Sequence, residues 1–531
     1  MTIRFGGIAS GLDTESIIKE MMRAHRMRGD KLFHEKTRTE WRKAEYHNVR
    51  NDIISFRNKL FDVFNRTNKM NPKTVNSSNN DIVTATATSD AGTVTNMVRV
   101  EQLASGVNLT SGSKIGVESN VDGKTIVDKS SIITHLGFRE NDLQLDEGGN
   151  LALHINGAEI KINPAKETIN DLARKINNAN VGVRASYDAN YDQFFLRTTS
   201  TGSNATINFG PSPIPEEELE AGEEQPTMSA SEANLWNALN LHKSTGTGTT
   251  AIIIAEEQSG ENAKIKVNGF DFEGATNNIT VAGVTYNLQK VELDTDVTIT
   301  VGNNIDGAVE TIKEFVKTYN ELVTKLNDLT RQPFYRDFNP LTEEQRRDMS
   351  DREVEMWEEK ARSGLLRNDS MLNSFLSTMR LNISEPIDGL ESNYKSLASI
   401  GITTSRDWTK GGFLEFEENP ESERKLRAAL EEDPEILVKL FMGSEGVISR
   451  LRDTAQKTTD QLRDHAGSSP AADPNSFLGR RLSNFERQLA TFEDRMKRTE
   501  DRYWRQFTAM EKAMDKMNSQ SSWLMQQFAN F

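Results

Sequence analysis

Cysteine is absent from this chain of 531 residues. Without a thiol there is no disulfide, no thiolate nucleophile and no cysteine-bound metal, so a long chain must hold together by packing alone. Apolar residues are also scarce, 36% against a usual level of about 45–50%, and each domain core is expected to be thin. Positive charge is in deficit: 64 Lys plus Arg face 79 Asp plus Glu, a formal net charge of −15. No overall positive field exists to hold a polyanion, which argues against nucleic acid as a partner. No apolar run approaches the roughly 20 residues that cross a bilayer. The opening residues Met1 to Ala9 lack a charged region followed by a long apolar one. Neither a membrane span nor a cleaved signal is expected, and export would need a route that reads neither.

Catalytic signatures are missing too. The seven histidines, His25, His34, His47, His135, His154, His242 and His465, include no two within four residues of each other. His34-Glu35 begins like a zinc-protease motif but continues Lys36-Thr37-Arg38, without the second ligand. No phosphate-binding loop, nucleophile elbow or dinucleotide fingerprint occurs; Gly246-Thr247-Gly248 lacks a third glycine and reads as a linker. Asp188, Asn190 and Asp192 alternate oxygen ligands, yet Gln193 and Phe194 follow where a calcium loop needs a glycine, so a turn is expected. No catalytic residue, cofactor or metal is predicted. An enzyme acting through paired carboxylates ranks last among the readings.

What is present is a chain helical at both ends and β-rich between. The length is several times the roughly 150 residues of one domain. Asp13 is placed to cap a helix opening with Thr14-Glu15-Ser16, with Leu12 and Ile17 at staple spacing. Its apolar pattern starts at Ile17 and Met21, fades from Arg23 to Lys43, and returns at Tyr46, Val49, Ile53, Phe56, Leu60 and Val63 as a heptad seam that Asn71-Pro72 closes. Near the other end Leu478, Leu482, Phe485, Leu489, Phe492, Met496, Thr499 and Tyr503 alternate four and three. Phe507, Met510, Met514 and Met517 follow after a stutter that relaxes supercoil. A helix from about 476 to 518 would be on the order of 60 Å long and needs a partner helix. The methionine run reads equally as a repackable binding face and as a flexible seam.

Between the ends, β-branched stretches from Asp81 to Thr95, Leu151 to Ile155, Val181 to Tyr187, Phe194 to Leu196, Lys264 to Val267, Ile279 to Leu288 and Val297 to Val301 predict strands. Asn156-Gly157 and Asn268-Gly269 are placed to be hairpin corners. A short helix fits Ile169 to Ile176, and the acidic stretch Glu216 to Glu224 reads as an exposed loop. Helical periodicity resumes from Val309 through Leu326, at Met371 to Leu381, and at Glu421 to Leu430, ended by Asp433-Pro434. The fold class is α+β multidomain: terminal coiled-coil helices and a helical domain, with β-rich domains inserted between them.

Phe5-Gly6-Gly7-Ile8-Ala9-Ser10-Gly11-Leu12-Asp13-Thr14 at one end, and Asp501 to Met514 with Met517-Asn518-Ser519-Gln520-Ser521-Ser522-Trp523-Leu524 at the other, resemble the flagellar hook-associated protein 2 (FliD) family of filament caps. Thr168 to Asn177 followed by Val181-Gly182-Val183 is similar to a short motif shared by flagellar hook and filament proteins, and Leu397 to Thr403 fits the family's later helical region. The resemblance implies four parts: a coiled-coil leg from 1–45 and 476–531, a helical domain from 46–78 and 303–475, and two β-rich domains, 79–120 with 250–302, and 121–249. It implies a homo-oligomeric ring at the distal filament tip that retains flagellin and promotes its insertion. Hook–filament junction proteins and a flagellar export chaperone would be further partners, with secretion by the flagellar type III route. For the seam residues Leu482, Phe485, Leu489 and Phe492 an intrachain pair and a contact with filament or neighbouring caps both stay open. So do two rival functions: a filament or junction subunit, and a surface adhesin binding host mucin or glycans.

Overall fold

The computed structural model describes residues 13–529 apart from 122–123, 140, 214–223, 246–247, 253, 255, 391–392, 408–409, 417–418 and 470–472. Leu12 of the expected staple, most of the acidic stretch and Gly246-Thr247 lie outside the described residues. The longer helices, in chain order, are α1 (Thr14–Lys59), α2 (Ile169–Ala179), α3 (Ala230–Ala238), α4 (Ile305–Arg331), α5 (Asp351–Arg362), α6 (Ser370–Ser384), α7 (Pro420–Glu432), α8 (Val447–Ala466) and α9 (Phe477–Ala529). Two compact units result, one made by the chain up to Pro72 and from Asn304 onward, the other by Lys73–Asn303. The fold is α+β, with long terminal helices packed together, a helical region, and β-sheets between them in sequence.

In the helical unit, Asp13 caps α1 by accepting the Ser16 N–H at 3.0 Å. The polar stretch from Arg23 to Lys43, expected to weaken this helix, does not interrupt it, and α1 runs unbroken for 46 residues. Its α geometry ends at Lys59, short of the predicted close at Asn71-Pro72, in a π-helical turn over Leu60–Phe64. The wider i→i+5 pitch carries the apolar stripe on by four, so that Phe64, not the predicted Val63, is fully buried. Phe64 meets Phe315 of α4 edge to face at 5.6 Å, and Phe315 meets Phe441 likewise at 5.1 Å. The predicted period of α4 holds: Val309, Ile312, Val316, Tyr319, Val323 and Leu326 are all buried in one core with Val49, Ile53 and Phe56.

The second unit contains β1 (Lys73–Ser77), β2 (Val83–Ala87), β3 (Thr95–Gln102), β4 (Asn108–Ser111), β5 (Leu151–Ile155), β6 (Ala158–Ile162), β7 (Val183–Asp188), β8 (Gln193–Thr198), β9 (Leu241–Thr245), β10 (Gly248–Ala251), β11 (Ala263–Val267), β12 (Phe270–Gly274), β13 (Asn278–Val281), β14 (Val284–Leu288) and β15 (Glu292–Asn303). The main sheets run β1-β15-β3-β11-β12, β13-β14-β2 and β10-β9-β4-β8-β7, and β5 pairs with β6. Both Asn-Gly steps are corners. Asn156 and Gly157 have φ of 49° and 76°, Asn268 and Gly269 of 51° and 87°, the doubly positive geometry of a tight hairpin. The stretch Ile279 to Leu288, expected as strand throughout, instead folds back on itself, because Ala282 and Gly283 take φ of 49° and 80° and pair Val281 with Val284. Buried side chains gather in two separate clusters, one including Phe194, Leu196 and Trp236, the other Val98, Ile265, Tyr286 and Ile299. Asp188 makes the expected turn by accepting the Asn190 N–H at 2.8 Å. Asp192 turns inward to accept the Tyr187 hydroxyl at 2.6 Å and sits 2.7 Å from His135 Nε2.

Candidate assembly interface in the terminal helices

Helices α1 and α9 pack antiparallel, residue numbers rising on one as they fall on the other. Arg50 donates to the carbonyls of Gly467 and Ser468 at 3.3 and 3.0 Å. Farther along, the Phe492 ring lies over Gly29 and the His25 ring faces Tyr503, with Nε2 to hydroxyl at 3.1 Å. The α1 seam continues through the polar stretch as Ile18, Met22, His25, Gly29, Leu32, Lys36, Thr39, Lys43 and Tyr46, in steps of four and three. Ile18, Met22, Gly29, Thr39 and Lys43 are buried. The predicted starting pair Ile17 and Met21 is off by one position, since Ile18 and Met22 face inward and Met21 is 39% exposed. Glycine, histidine, lysine and threonine carry no hydrophobic signal, so the apolar pattern fades where the seam does not. A Cβ on Gly29 would sit 2.3 Å from Phe492 Cε1, so only glycine makes the hole this ring fills.

The seam residues of the sequence divide into two groups. Tyr46, Val49, Ile53, Phe56, Leu60 and Leu478 are buried in the core of the helical unit. Phe485 is buried as well, while Leu482, Leu489, Phe492, Met496, Tyr503, Phe507, Met510 and Met514 are half-buried along α9. Met517 is 68% exposed, and Trp523, Leu524 and Met525 beyond it are exposed too. For Phe492 and Tyr503 the partner is intrachain, namely Gly29 and His25. The helix α9 reaches Ala529, past the predicted end near 518.

At the base of the pair, Tyr46 of the seam meets residues to which no period points. Tyr46 donates its hydroxyl to Asp369, whose carboxylate also caps α6 by accepting the Met371 and Leu372 N–H groups. Burial, followed by the hydrogen bond to Asp369, pushes the Tyr46 phenol far up, so it stays protonated. Its ring meets the edge of His465 at 5.1 Å, and His465 stacks on Phe477 at 5.0 Å. One turn earlier on α1, Arg362 lies over the Trp41 ring at 4.3 Å and Arg42 Nε donates to the Leu365 carbonyl at 3.0 Å. These contacts tie α1 to the segment 362–365, more than 300 residues later in the chain. Nothing here assembles a nucleophile with a base; the arrangement binds helices to one another.

Among known families, residues 10–106 match the model of the flagellar hook-associated protein 2 N-terminus, residues 260–519 that of its C-terminus, and residues 152–200 the flagellin hook IN motif. A flagellar hook-associated protein 2 of Halalkalibacterium halodurans is 30% identical, covering 99% of this chain and 100% of that protein. One of Salmonella typhimurium is 26% identical over 70% of this chain and 68% of its own length. Among solved structures, the D1-D2-D3 domains of the flagellar cap protein FliD from Escherichia coli superpose with a TM-score of 0.51 at 18% identity, over 83% of this chain and 99% of that one. That likeness is one of fold.

Proposed function

Given that this chain belongs to the flagellar hook-associated protein 2 family, and so is a structural filament cap of the flagellum tip and not an enzyme, we propose how its parts divide the task. Residues 1–45 and 476–531 form a leg that reaches toward the filament, and 46–72 with 304–475 form the helical body, 73–78 going to the β unit with strand β1. The β-rich parts, 79–120 with 250–302 and 121–249, form a plate in a homo-oligomeric ring. Three separate buried clusters, one in the body and two in the β-rich parts, support a division of this kind, with Val107, Leu109 and Ile115 packing in the cluster of Phe194 and Trp236 and so assigning 107–120 to the second β-rich part. Flagellin arriving by the flagellar type III route is retained under that plate until it inserts; hook–filament junction proteins and an export chaperone complete the partners.

The observation that carries this reading is the co-folding of the two chain ends into one antiparallel pair. Its α9 seam from Leu489 to Met514 is only half-buried by α1, and its far end, at Met517, Trp523, Leu524 and Met525, is exposed. Tyr46, Val49, Ile53, Phe56, Leu60 and Leu478 anchor the leg permanently in the body. Leu482, Phe485, Leu489, Phe492, Met496, Tyr503, Phe507, Met510, Met514 and Met517 supply a seam that neighbouring subunits complete, and the thioethers repack cheaply as subunits are added. The test is deletion of the gene in its source organism. Unpolymerised flagellin in the medium and hooks without filaments are expected, cured by the full chain but not by one ending before Leu478. Normal filaments without leaked flagellin would overturn the proposal.

A further inference from the structure

Two imidazoles flank Tyr46 at the corner where α8 ends and α9 begins. His47, next to Tyr46 on α1, is buried against the backbone of Ala466 and Ser469, and its Nε2 has no hydrogen-bond partner among the described residues. His465, in the last turn of α8, lies between the Tyr46 and Phe477 rings. The corner is strapped to α1 by Arg50, which donates to the carbonyls of Gly467 and Ser468. Asp473 ties the corner internally by accepting the Ser468 and Asn475 N–H groups at 3.2 and 3.1 Å.

The charges around this pair are mostly positive. From α1 come Arg42 beside His465, and Lys43 and Arg50 beside His47. On α8, Arg463 and Asp464 pair with each other at the surface. The facing carboxylates are Asp369, at the start of α6 and beside His465, and Asp473, beside Lys43. Both are already engaged, Asp369 by Tyr46 and two backbone N–H groups, Asp473 by the corner backbone. A proton on either imidazole therefore adds charge to a site whose cations outnumber its carboxylates.

We propose that this corner is an acid-sensitive latch: neutral His47 and His465 hold the α8–α9 corner against α1, and their protonation releases the base of the leg. Burial first, then Lys43 and Arg50, hold the His47 imidazole below its ordinary 6.5, outweighing the backbone groups of Ala466 and Ser469, which favour the proton. Burial first also lowers His465, with Asp369 opposing and Arg42 adding to the effect. The sign follows. Above about pH 6.5 the imidazoles are neutral in both the closed and the opened corner, and the latch is at full strength. Below that value the opened corner takes up protons first, so closure weakens by roughly tenfold per pH unit for each imidazole until the closed-state values are reached.

Hydrogen exchange of the full-length chain, corrected for intrinsic rates, tests the latch. Between about pH 7.5 and 5.5, protection of the first turns of α9 is expected to fall, by at most about a hundredfold for two imidazoles. A His47→Gln, His465→Phe double variant, which keeps the stacking ring, is expected to lose that dependence. Unchanged protection in the natural chain, or an equal fall in the variant, would overturn the proposal. Should the variant be open at both pH values, imidazole carbon-13 titration of the natural chain decides: midpoints below 6.5 for both residues support the latch, and a midpoint at or above 6.5 for either overturns it.

Discussion

Asn177, Asn277 and Asn320 each use a side-chain amide to bind both backbone groups of a single residue. Asn177 of α2 donates to the Ala185 carbonyl at 2.9 Å and accepts its N–H at 2.8 Å, closing the outer edge of β7. Asn320 of α4 does the same to Leu414, at 2.9 and 2.7 Å, and Asn277 to Ala104, at 3.4 and 2.6 Å. An open strand edge is a template for another chain, and an amide satisfies both backbone groups without offering a further edge. This restricts sheet-to-sheet pairing at β7. Asn177→Asp tests the point with almost no change of shape. The amide donor becomes a carboxylate oxygen facing the Ala185 carbonyl, so one hydrogen bond becomes a repulsion. A loss of about 1–3 kcal/mol is expected for the unit containing β7. Thermal denaturation of the full chain should show its transition lowered, and an unchanged transition would remove the edge-closing role.

Elements differ in how plainly the sequence announced them, and the reason is local chemistry. The Asn-Gly corners were legible because a hairpin with two positive φ values accepts few other residues, and α2 because Thr168 and Asp171 form a reciprocal capping box around it. The helix α4 was legible because one of its faces is almost wholly apolar. The continuity of α1 was not, since its partner-facing positions are filled by a hole at Gly29, a hydrogen bond at His25 and a lysine at Lys43. The helix α8 gave no sequence signal strong enough to name it, because Ala455, Thr458 and Thr459 fill much of its buried face. Nor did any period point to Asp369 or His465, which meet Tyr46 only through the tertiary fold. Gly29 gives the element-scale prediction. Gly29→Leu gains helix propensity of about 0.8–1 kcal/mol, but it drives a branched side chain into the space of the Phe492 ring, where overpacking costs about 1–3 kcal/mol. The steric term wins, so the α1–α9 pair should open earlier on heating, seen as lost protection around Phe492 in hydrogen exchange. Combining Gly29→Leu with Phe492→Ala should restore most of it. If the single variant were as protected as the natural chain, the knob-in-hole reading would fall.

For the molecule as a whole, the decisive feature is where the chain crosses between its units. The Asn304 N–H donates to the Pro72 carbonyl at 2.9 Å within the helical unit. Lys73 and Asn303 are paired within the β unit, where β1 runs beside β15 residue by residue up to Ser77 and Ile299. The long insertion thus starts and ends at adjacent points, and once folded it acts as a short bridge. His25 and Tyr503, 478 residues apart in sequence, consequently meet across a much smaller effective loop. Replacing 73–303 by a short Gly/Ser linker should leave the helical unit folded. Loop closure changes by only about 0.6 kcal/mol per halving of length, and the core around Phe315 and Phe441 is built entirely from residues outside the insertion. The helix signal in circular dichroism should persist, with a melting midpoint within a few degrees of the helical transition of the full chain. The segment 73–303, expressed alone, should melt cooperatively through its own two cores. On the proposed division of the task, the linker version should still leak flagellin in the source organism, because it lacks the β-rich parts proposed as the plate. A linker version that fails to fold would show that the β unit props up the helical one, and one that restores filaments would show that retention of flagellin resides in the leg and body.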